Sequence, residues 1–454
     1  MTSTHDLIVI GMGVGGEEVT GRAADAGLDV LAVERYLIGG ECAYWGCIPT
    51  KTMVRAANAI GEAKRGNQLA GDFSVQTDWK PVAIRVREVT GNWDDDVAIE
   101  RYEKKGATVL KAPARFVGPR DVEIDGTRYS SRKGIVIATG STPAIPPIDG
   151  LDTIDYWTNQ EAVAAEEPPS SLVVLGGGAI GLEFAQVFAR FGSTVTIIER
   201  ADHVLPPEEP ENGEALGRVL ASEGITVLTQ RSARSVASHD GGVRVELDDG
   251  SHIDAERLLV ATGRRAGLDD LDVGAAGLDE SARNISVDEN MRASDGLWAI
   301  GDVTGGGFTH VAVYEGRVAA ADILGRPHPP ANLDAIPHVT FTDPEVASVG
   351  LSEKAAQDKG IEVRAAASPV KNSSRGWIHG PGAEEGVIKL VADAQRNVLV
   401  GGSVMSPSAG EILGILVLAV KEEIPIPSLR DLIYPYPTFV RGLEDPLREL
   451  EESR

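Results

Sequence analysis

Leu7-Ile8-Val9-Ile10-Gly11-Met12-Gly13-Val14-Gly15-Gly16 lies near the start of the chain, and Leu31-Ala32-Val33-Glu34 closes the unit that begins there. Four apolar, mostly β-branched residues predict a buried strand. The Gly11-x-Gly13-x-x-Gly16 spacing predicts a tight turn into a helix, and the second apolar run predicts a parallel strand ending in an acid. Such glycines let backbone approach a pyrophosphate, whose charge meets the helix N-terminus, while the terminal Glu34 bonds a ribose hydroxyl. The pattern returns at Leu172-Val173-Val174-Leu175, with Gly176-x-Gly178-x-x-Gly181 and a close at Val195-Thr196-Ile197-Ile198-Glu199. A lone glycine loop is weak evidence, because many bind nothing. Two copies, each with strand, helix and acid in place, point to two dinucleotide-binding βαβ units.

Further repeats follow. Ile135-Val136-Ile137-Ala138-Thr139-Gly140 and Leu258-Leu259-Val260-Ala261-Thr262-Gly263 are apolar runs ending in Ala-Thr-Gly, one after each fingerprint, and Leu297-Trp298-Ala299-Ile300-Gly301-Asp302 ends in Gly-Asp. In series they suggest one nucleotide domain nested inside another. After about residue 333 strands and helices alternate without a phosphate loop, suggesting a third domain. The expected division is 1–149 with 270–332, then 150–269, then 333–454; a chain of 454 residues is long enough for about three cores.

The formal charge of −25 argues against nucleic acid and anionic membrane surfaces as partners. No apolar run reaches the ~20 residues that span a bilayer. The few residues before Leu7 leave no room for a signal peptide, so a cytoplasmic location is expected.

The only two cysteines are Cys42 and Cys47, in Gly39-Gly40-Glu41-Cys42-Ala43-Tyr44-Trp45-Gly46-Cys47-Ile48-Pro49-Thr50-Lys51. Free cysteine is more often a buried small hydrophobe. A close pair in a chain otherwise without cysteine, just downstream of a nucleotide fingerprint, instead suggests dithiol–disulfide chemistry. Cys47 precedes a predicted helix through Ala57, whose dipole favours a thiolate. A spacing of five residues is about 1.4 helical turns, so a closed bridge requires local distortion, and strained bridges are the labile ones.

These motifs together resemble the class I pyridine nucleotide–disulfide oxidoreductases, the family of glutathione reductase, dihydrolipoamide dehydrogenase and mercuric reductase. The resemblance runs from about Asp6 to Glu444, and includes Val339-Thr340-Phe341-Thr342-Asp343-Pro344-Glu345 and Pro437-Thr438. It implies an α/β flavoprotein homodimer with an NAD domain inserted in an FAD domain and a C-terminal α+β dimerisation domain. FAD would lie on Gly11, Gly13, Gly16, Glu34, Gly40, Thr139, Gly140, Gly301 and Asp302, with Asp302 on its ribityl chain. The nicotinamide nucleotide would lie on Gly176, Gly178, Gly181, Glu199 and Gly263. Cys47 would face the flavin and Cys42 the substrate. Lys51 would sit beside the flavin, paired with Glu183, and stabilise charge on the reduced ring. No metal site is expected. Glu199 favours the 2′-hydroxyl of NAD over the 2′-phosphate of NADP, although Arg200 beside it offsets part of that preference.

The sequence departs from the family in three places. Glu41 replaces the threonine that most members carry before the first cysteine. Tyr436 stands where disulfide-handling members place a proton-shuttling histidine, and Arg441 stands where they place its orienting glutamate. A phenol, with pKa about 10, is a poor base at pH 7, and such a base is typically worth about 10²–10⁴-fold in rate. Oxidation of a dithiol, which needs that base, suffers most. Tyr436 with Phe439-Val440-x-Gly442-Leu443 resembles the mercuric reductase C-terminus, yet no second cysteine pair is present to capture Hg²⁺. Interface packing is the plain alternative for Tyr436, while for Tyr44 and Trp45 stacking against a substrate and structural packing stand level.

The expected function is therefore NADH oxidation through FAD and a Cys42–Cys47 disulfide, with a small disulfide, a quinone or a metal species as acceptor. Dihydrolipoamide dehydrogenase and a mercuric-reductase-like enzyme are alternatives within the family. A redox-sensing flavoprotein is the alternative of another class.

Overall fold

The computed structural model describes residues 3–452. The chain divides into two compact units, one of Met1–Pro49, Ile84–Ala144 and Gly263–Asn332, the other of Thr50–Ala83, Ile145–Thr262 and Leu333–Arg454.

In the first unit, β1 (Ser3–Ile10), α1 (Val14–Asp25) and β2 (Val30–Glu34) form the βαβ predicted from the opening stretch. β1 runs parallel to β2, with Leu7 opposite Val30 and Ile10 opposite Val33. On its other side it runs parallel to the strand Thr127–Ile137, and Leu297–Ala299 extends the sheet beyond that. Parallel strands covered on both faces lose the polar alternation of half-buried strands. Leu7 and Val9 accordingly pack with Val19 and Ala23 of α1, while Ile8 and Ile10 pack with Phe116 and Val303 on the opposite face. Each such burial stabilises by about 1.5–3 kcal/mol. Beyond Gly140 the strand Ser141–Pro143 pairs antiparallel with Arg264–Ala266, Ser141 opposite Ala266.

The chain between these two short strands builds the second nucleotide fold, so one Rossmann-like fold is inserted in the other. In this second unit the strand Ser171–Leu175, helix Ala179–Arg190 and strand Thr194–Ile198 repeat the βαβ. Its four-stranded sheet is parallel throughout, with Arg257–Val260 on one edge and Thr226–Leu228 on the other.

The C-terminal part of this unit is a five-stranded antiparallel sheet, covered by the helix Ala409–Lys421 through Ile412, Leu413 and Leu416. A polar row crosses four of its strands: His338 lies opposite Ser348, Ser348 opposite Ser403, and Ser403 opposite Lys389. The row is met by the helix Pro210–Ser222 and the residues before it. Glu208 accepts from Ser348, Asn212 donates to Ser403, and Lys389 pairs with Glu209, Glu211 and Glu353 at 2.8–3.0 Å. Buried charge is tolerated only when paired in this way.

α2 (Gly40–Tyr44) ends before α3 (Cys47–Leu69) begins, with Trp45 and Gly46 between them. The helical run is therefore interrupted between the two cysteines. α3 is longer than the stretch to Ala57 predicted from sequence, and it starts at Cys47 itself.

Candidate active site

The first fingerprint makes a turn shaped to receive a phosphate. Gly11 has φ +92°, and a side chain there would collide with the carbonyl of Ala138; Gly13, by contrast, faces open space. Gly13 also caps α1 with no side-chain hydrogen bond, so nothing from a cap side chain competes for the first-turn N–H groups. Glu34 is buried at the end of β2 and accepts from the N–H of Met12 and of Tyr36, each at 2.8 Å. A carboxylate offers about four lone-pair sites, so acceptor capacity for a ribose remains. Thr139 Oγ1 is a buried hydroxyl with no protein hydrogen-bond partner. Open glycine, uncapped helix, buried acid and orphaned hydroxyl all fit a dinucleotide.

The second fingerprint repeats this geometry closely. Gly176 has φ +107° and crowds the Ala261 carbonyl, Gly178 faces open space and caps its helix without a side-chain bond. Glu199 accepts from Gly177 N at 2.7 Å and from Ala201 N at 2.8 Å. In both units the strand-end acid thus holds the N–H of the residue between the first two glycines, and so shapes the turn.

The redox loop packs against the first fingerprint. Gly39 N donates to Met12 O at 2.7 Å, and a Cβ on Gly40 would come within 2.9 Å of Gly13 Cα. Both cysteines are half-buried. Cys47 Sγ lies 3.2 Å from the hydroxyl of Thr309, which is the first residue of the helix Thr309–Ile323. Two helix N-termini therefore meet at one sulfur, an arrangement that favours the thiolate. Thr309 was not identified from sequence; its signal was a helix start directly after Gly305-Gly306-Gly307. Between the cysteines, Trp45 stacks on Trp93 at 5.3 Å, and Tyr44 is buried.

Near Asp302 two further residues missed from sequence appear. Ser141 donates to Asp302, and Arg264 donates to Ser141 at 2.7 Å. Behind them Glu315 is fully buried, accepting from Gly301 N at 2.6 Å, and burial pushes its carboxyl up to about 7.

In the second unit Lys51 Nζ lies 2.7 Å from Glu183 Oε2, the pairing expected from their positions. The other oxygen of Glu183 accepts from Phe341 N at 2.9 Å, and the ammonium sits 4.9 Å above the Phe341 ring. Tyr436 is 67% exposed; its hydroxyl bonds Ser374 at 3.2 Å, and the Arg441 guanidinium lies 5.1 Å from its ring centre. Arg441 itself pairs with Glu444 at 3.0 Å. No imidazole–carboxylate dyad is formed by these residues.

A two-nucleotide fold with a cysteine pair beside its first phosphate turn defines a class of redox enzyme. The family model for the pyridine nucleotide-disulphide oxidoreductases matches residues 5–316, and the model for that family's dimerisation domain matches residues 336–445. The chain belongs to the pyridine nucleotide–disulphide oxidoreductases. It is 36% identical over 465 residues to dihydrolipoyl dehydrogenase of Thermus scotoductus, covering 99% of this chain and 98% of the relative. It is 32% identical over 449 residues to mercuric reductase of Bacillus cereus, covering 97% and 70%. Among solved structures, the HOCl-induced flavoprotein disulfide reductase RclA of Escherichia coli superposes with a TM-score of 0.85 at 27% identity, covering 98% of this chain and 99% of that one. The protein is thus an oxidoreductase of the FAD flavoproteins with a redox-active disulfide, using a pyridine nucleotide. Its dimerisation domain supports a homodimer. No helix among the described residues is long and apolar enough to cross a membrane.

Proposed function

We propose that the protein oxidises NADH and passes the electron pair through bound FAD and the Cys42–Cys47 disulfide to a small disulfide, a quinone or a soft metal species. The observation that carries this reading is Cys47, held at the start of α3 and 3.2 Å from the Thr309 hydroxyl. When bound, FAD supplies the two-electron step between nicotinamide and disulfide.

The chain's own residues then divide the work. Once Cys47 is a thiolate its sulfur can only accept, so the Thr309 hydroxyl 3.2 Å away donates to it and stabilises that form, while Cys42 is the sulfur left to attack the acceptor. Lys51, oriented by Glu183, offsets charge gained on reduction. Glu34, Asp302 and the glycines of the first fingerprint hold FAD, with Gly40, Thr139, Gly140 and Gly301 beside them. Gly176, Gly178, Gly181, Glu199 and Gly263 hold the nicotinamide nucleotide. The domain limits that go with this are 1–149 with 270–332 for FAD, 150–269 for NAD and 333–454 for dimerisation.

NAD is favoured over NADP because the Glu199 carboxylate would face a 2′-phosphate. Arg231, three residues beyond the end of the neighbouring strand Thr226–Leu228, is already engaged with Asp249 at 2.9 Å. Oxidation of a dithiol substrate, which needs a histidine base, is not the proposed reaction, since Tyr436 and Arg441 occupy the positions of the dyad. Disulfide reduction needs only a proton or hydrogen bond for the leaving thiolate, which a phenol supplies.

An acceptor screen with NADH and NADPH separately, covering lipoamide, low-molecular-weight disulfides, quinones and Hg²⁺, tests this directly. NADH is expected to outperform NADPH with every acceptor that works. Dihydrolipoamide oxidation assayed in parallel with NAD⁺, if as fast as the best acceptor reaction, would refute the assignment.

A further inference from the structure

Glu41 has no counterpart in the threonine that most of the family carries, and the structure gives its carboxylate a partner. Glu41 Oε2 lies 3.4 Å from the Arg264 guanidinium. Arg264 donates from Nε to Ser141 Oγ and from Nη2 to the Ser141 carbonyl, both at 2.7 Å. Ser141 Oγ in turn donates to Asp302 Oδ2. An ion pair from Glu41 to Arg264 thus continues through two hydrogen bonds, Arg264 to Ser141 and Ser141 to Asp302, of which each polarises the next. It starts one residue beyond Gly40, whose Cβ position would lie 2.9 Å from Gly13 Cα, directly against the phosphate turn.

The charge of this group is what the substitution changes. With threonine at position 41, Arg264 and Asp302 balance each other. With glutamate, two carboxylates surround one guanidinium and the group carries one net negative charge. Reduction adds electrons to a flavin and is disfavoured by negative charge nearby.

We propose that Glu41 is a charge-setting residue for the flavin site, acting through Arg264 to hold the flavin at a lower two-electron reduction potential than threonine would. The consequence is that electrons are driven onward toward the disulfide and its acceptor instead of resting on the flavin. This rests on FAD occupying the first fingerprint. Glu41 is 34% and Arg264 23% exposed, so solvent screens the interaction. The expected effect is about threefold in the equilibrium constant for flavin reduction, or about 14 mV for a two-electron couple.

The test is anaerobic equilibration of the purified flavoprotein with a reference dye, in a Cys42→Ser/Cys47→Ser background so that the flavin alone titrates. Glu41→Gln and Glu41→Thr are expected to shift the equilibrium about threefold toward reduced flavin. Glu41→Asp should hold it near the parent value, and Arg264→Gln should move it the other way. An unchanged or opposite equilibrium in both Glu41→Gln and Glu41→Thr, with FAD still bound, overturns the proposal even if melting temperature falls, because a mere loop tether would lower only the latter. A parent protein that binds no FAD would instead overturn the flavin assignment on which the proposal stands.

Discussion

Lys51 and Glu183 are 132 residues apart in sequence, yet their side chains meet at 2.7 Å. Glu183 is 3% exposed and Lys51 35%. The glutamate is held from its other oxygen by Phe341 N, so the ammonium is fixed in direction as well as neutralised. Lys51→Met is expected to slow flavin reduction by NADH by about 10–100-fold, measured by anaerobic stopped flow. It also strands a buried carboxylate. Allowing for the exposure of Lys51, the stability lost is about 1–2 kcal/mol. Glu183→Gln, which leaves no uncompensated buried charge, is expected to lose less stability but a similar share of rate. Equal rates in parent and Lys51→Met would remove this pair from the redox machinery.

The Thr309 hydroxyl lies 3.2 Å from Cys47 Sγ and is placed to donate to it when the sulfur is a thiolate. Thr309→Val keeps the shape of the side chain and deletes the donor. A hydrogen bond to a charged group is worth about 1.5–3 kcal/mol, so the pH midpoint for thiolate formation in the reduced enzyme should rise by about one unit or more. The thiolate-to-flavin absorbance followed against pH reads this directly. Thr309→Ser should restore the parent midpoint, and a Thr309→Val profile superimposable on the parent would show that the hydroxyl does not serve the sulfur.

Glu315 makes stability depend on pH. Its carboxyl is raised to about 7 by burial, against an ordinary value of 4.5. Below 4.5 the folded and unfolded states are both protonated, and stability is at its full value with respect to this group. Between 4.5 and 7 the unfolded chain has lost the proton that the folded chain retains, so stability falls as pH rises; above 7 the loss is complete, at about 3 kcal/mol. Glu315→Gln keeps an acceptor for Gly301 N and cannot ionise. Its melting temperature should vary less between pH 5 and 7.5 than that of the parent, and parallel curves would contradict the assignment.

Tyr436 and Arg441 mark the missing base. Tyr436→His combined with Arg441→Glu is expected to raise dihydrolipoamide oxidation by about 10–100-fold, part of the typical value of general base catalysis. The steady-state rate against pH should acquire a limb near the titration of histidine. No gain in rate would show that the base was not what limited dithiol oxidation.

Much of this was readable in the sequence because it is local. Gly11 to Glu34 and Gly176 to Glu199 each carry strand, turn, helix and acid within one short segment, and the βαβ geometry follows from apolar runs and glycine spacing alone. That a bridge between Cys42 and Cys47 needs local distortion follows from helical pitch, although where the helix is interrupted does not. What the sequence hid was long-range or two-sided. Thr309 reaches Cys47 from 262 residues away, and Ser141 and Arg264 meet only because two short strands pair across an inserted fold. That Glu34 and Glu199 brace their own glycine turns was equally hidden, since an acid at a strand end reads as a ribose ligand and nothing more. The polar row from His338 to Lys389 needs the register of four strands, which no single segment specifies.

The central claim is that electrons entering from NADH reach the Cys42–Cys47 pair with Cys47 against the flavin. Anaerobic titration of the oxidised protein with NADH, followed by absorbance, tests it most directly. One equivalent should produce long-wavelength charge-transfer absorbance from the Cys47 thiolate to oxidised flavin, kept in Cys42→Ser without reductant, absent in Cys47→Ser, and discharged by the acceptor. Direct bleaching of the flavin with no such band, or a band that no acceptor discharges, would contradict the account.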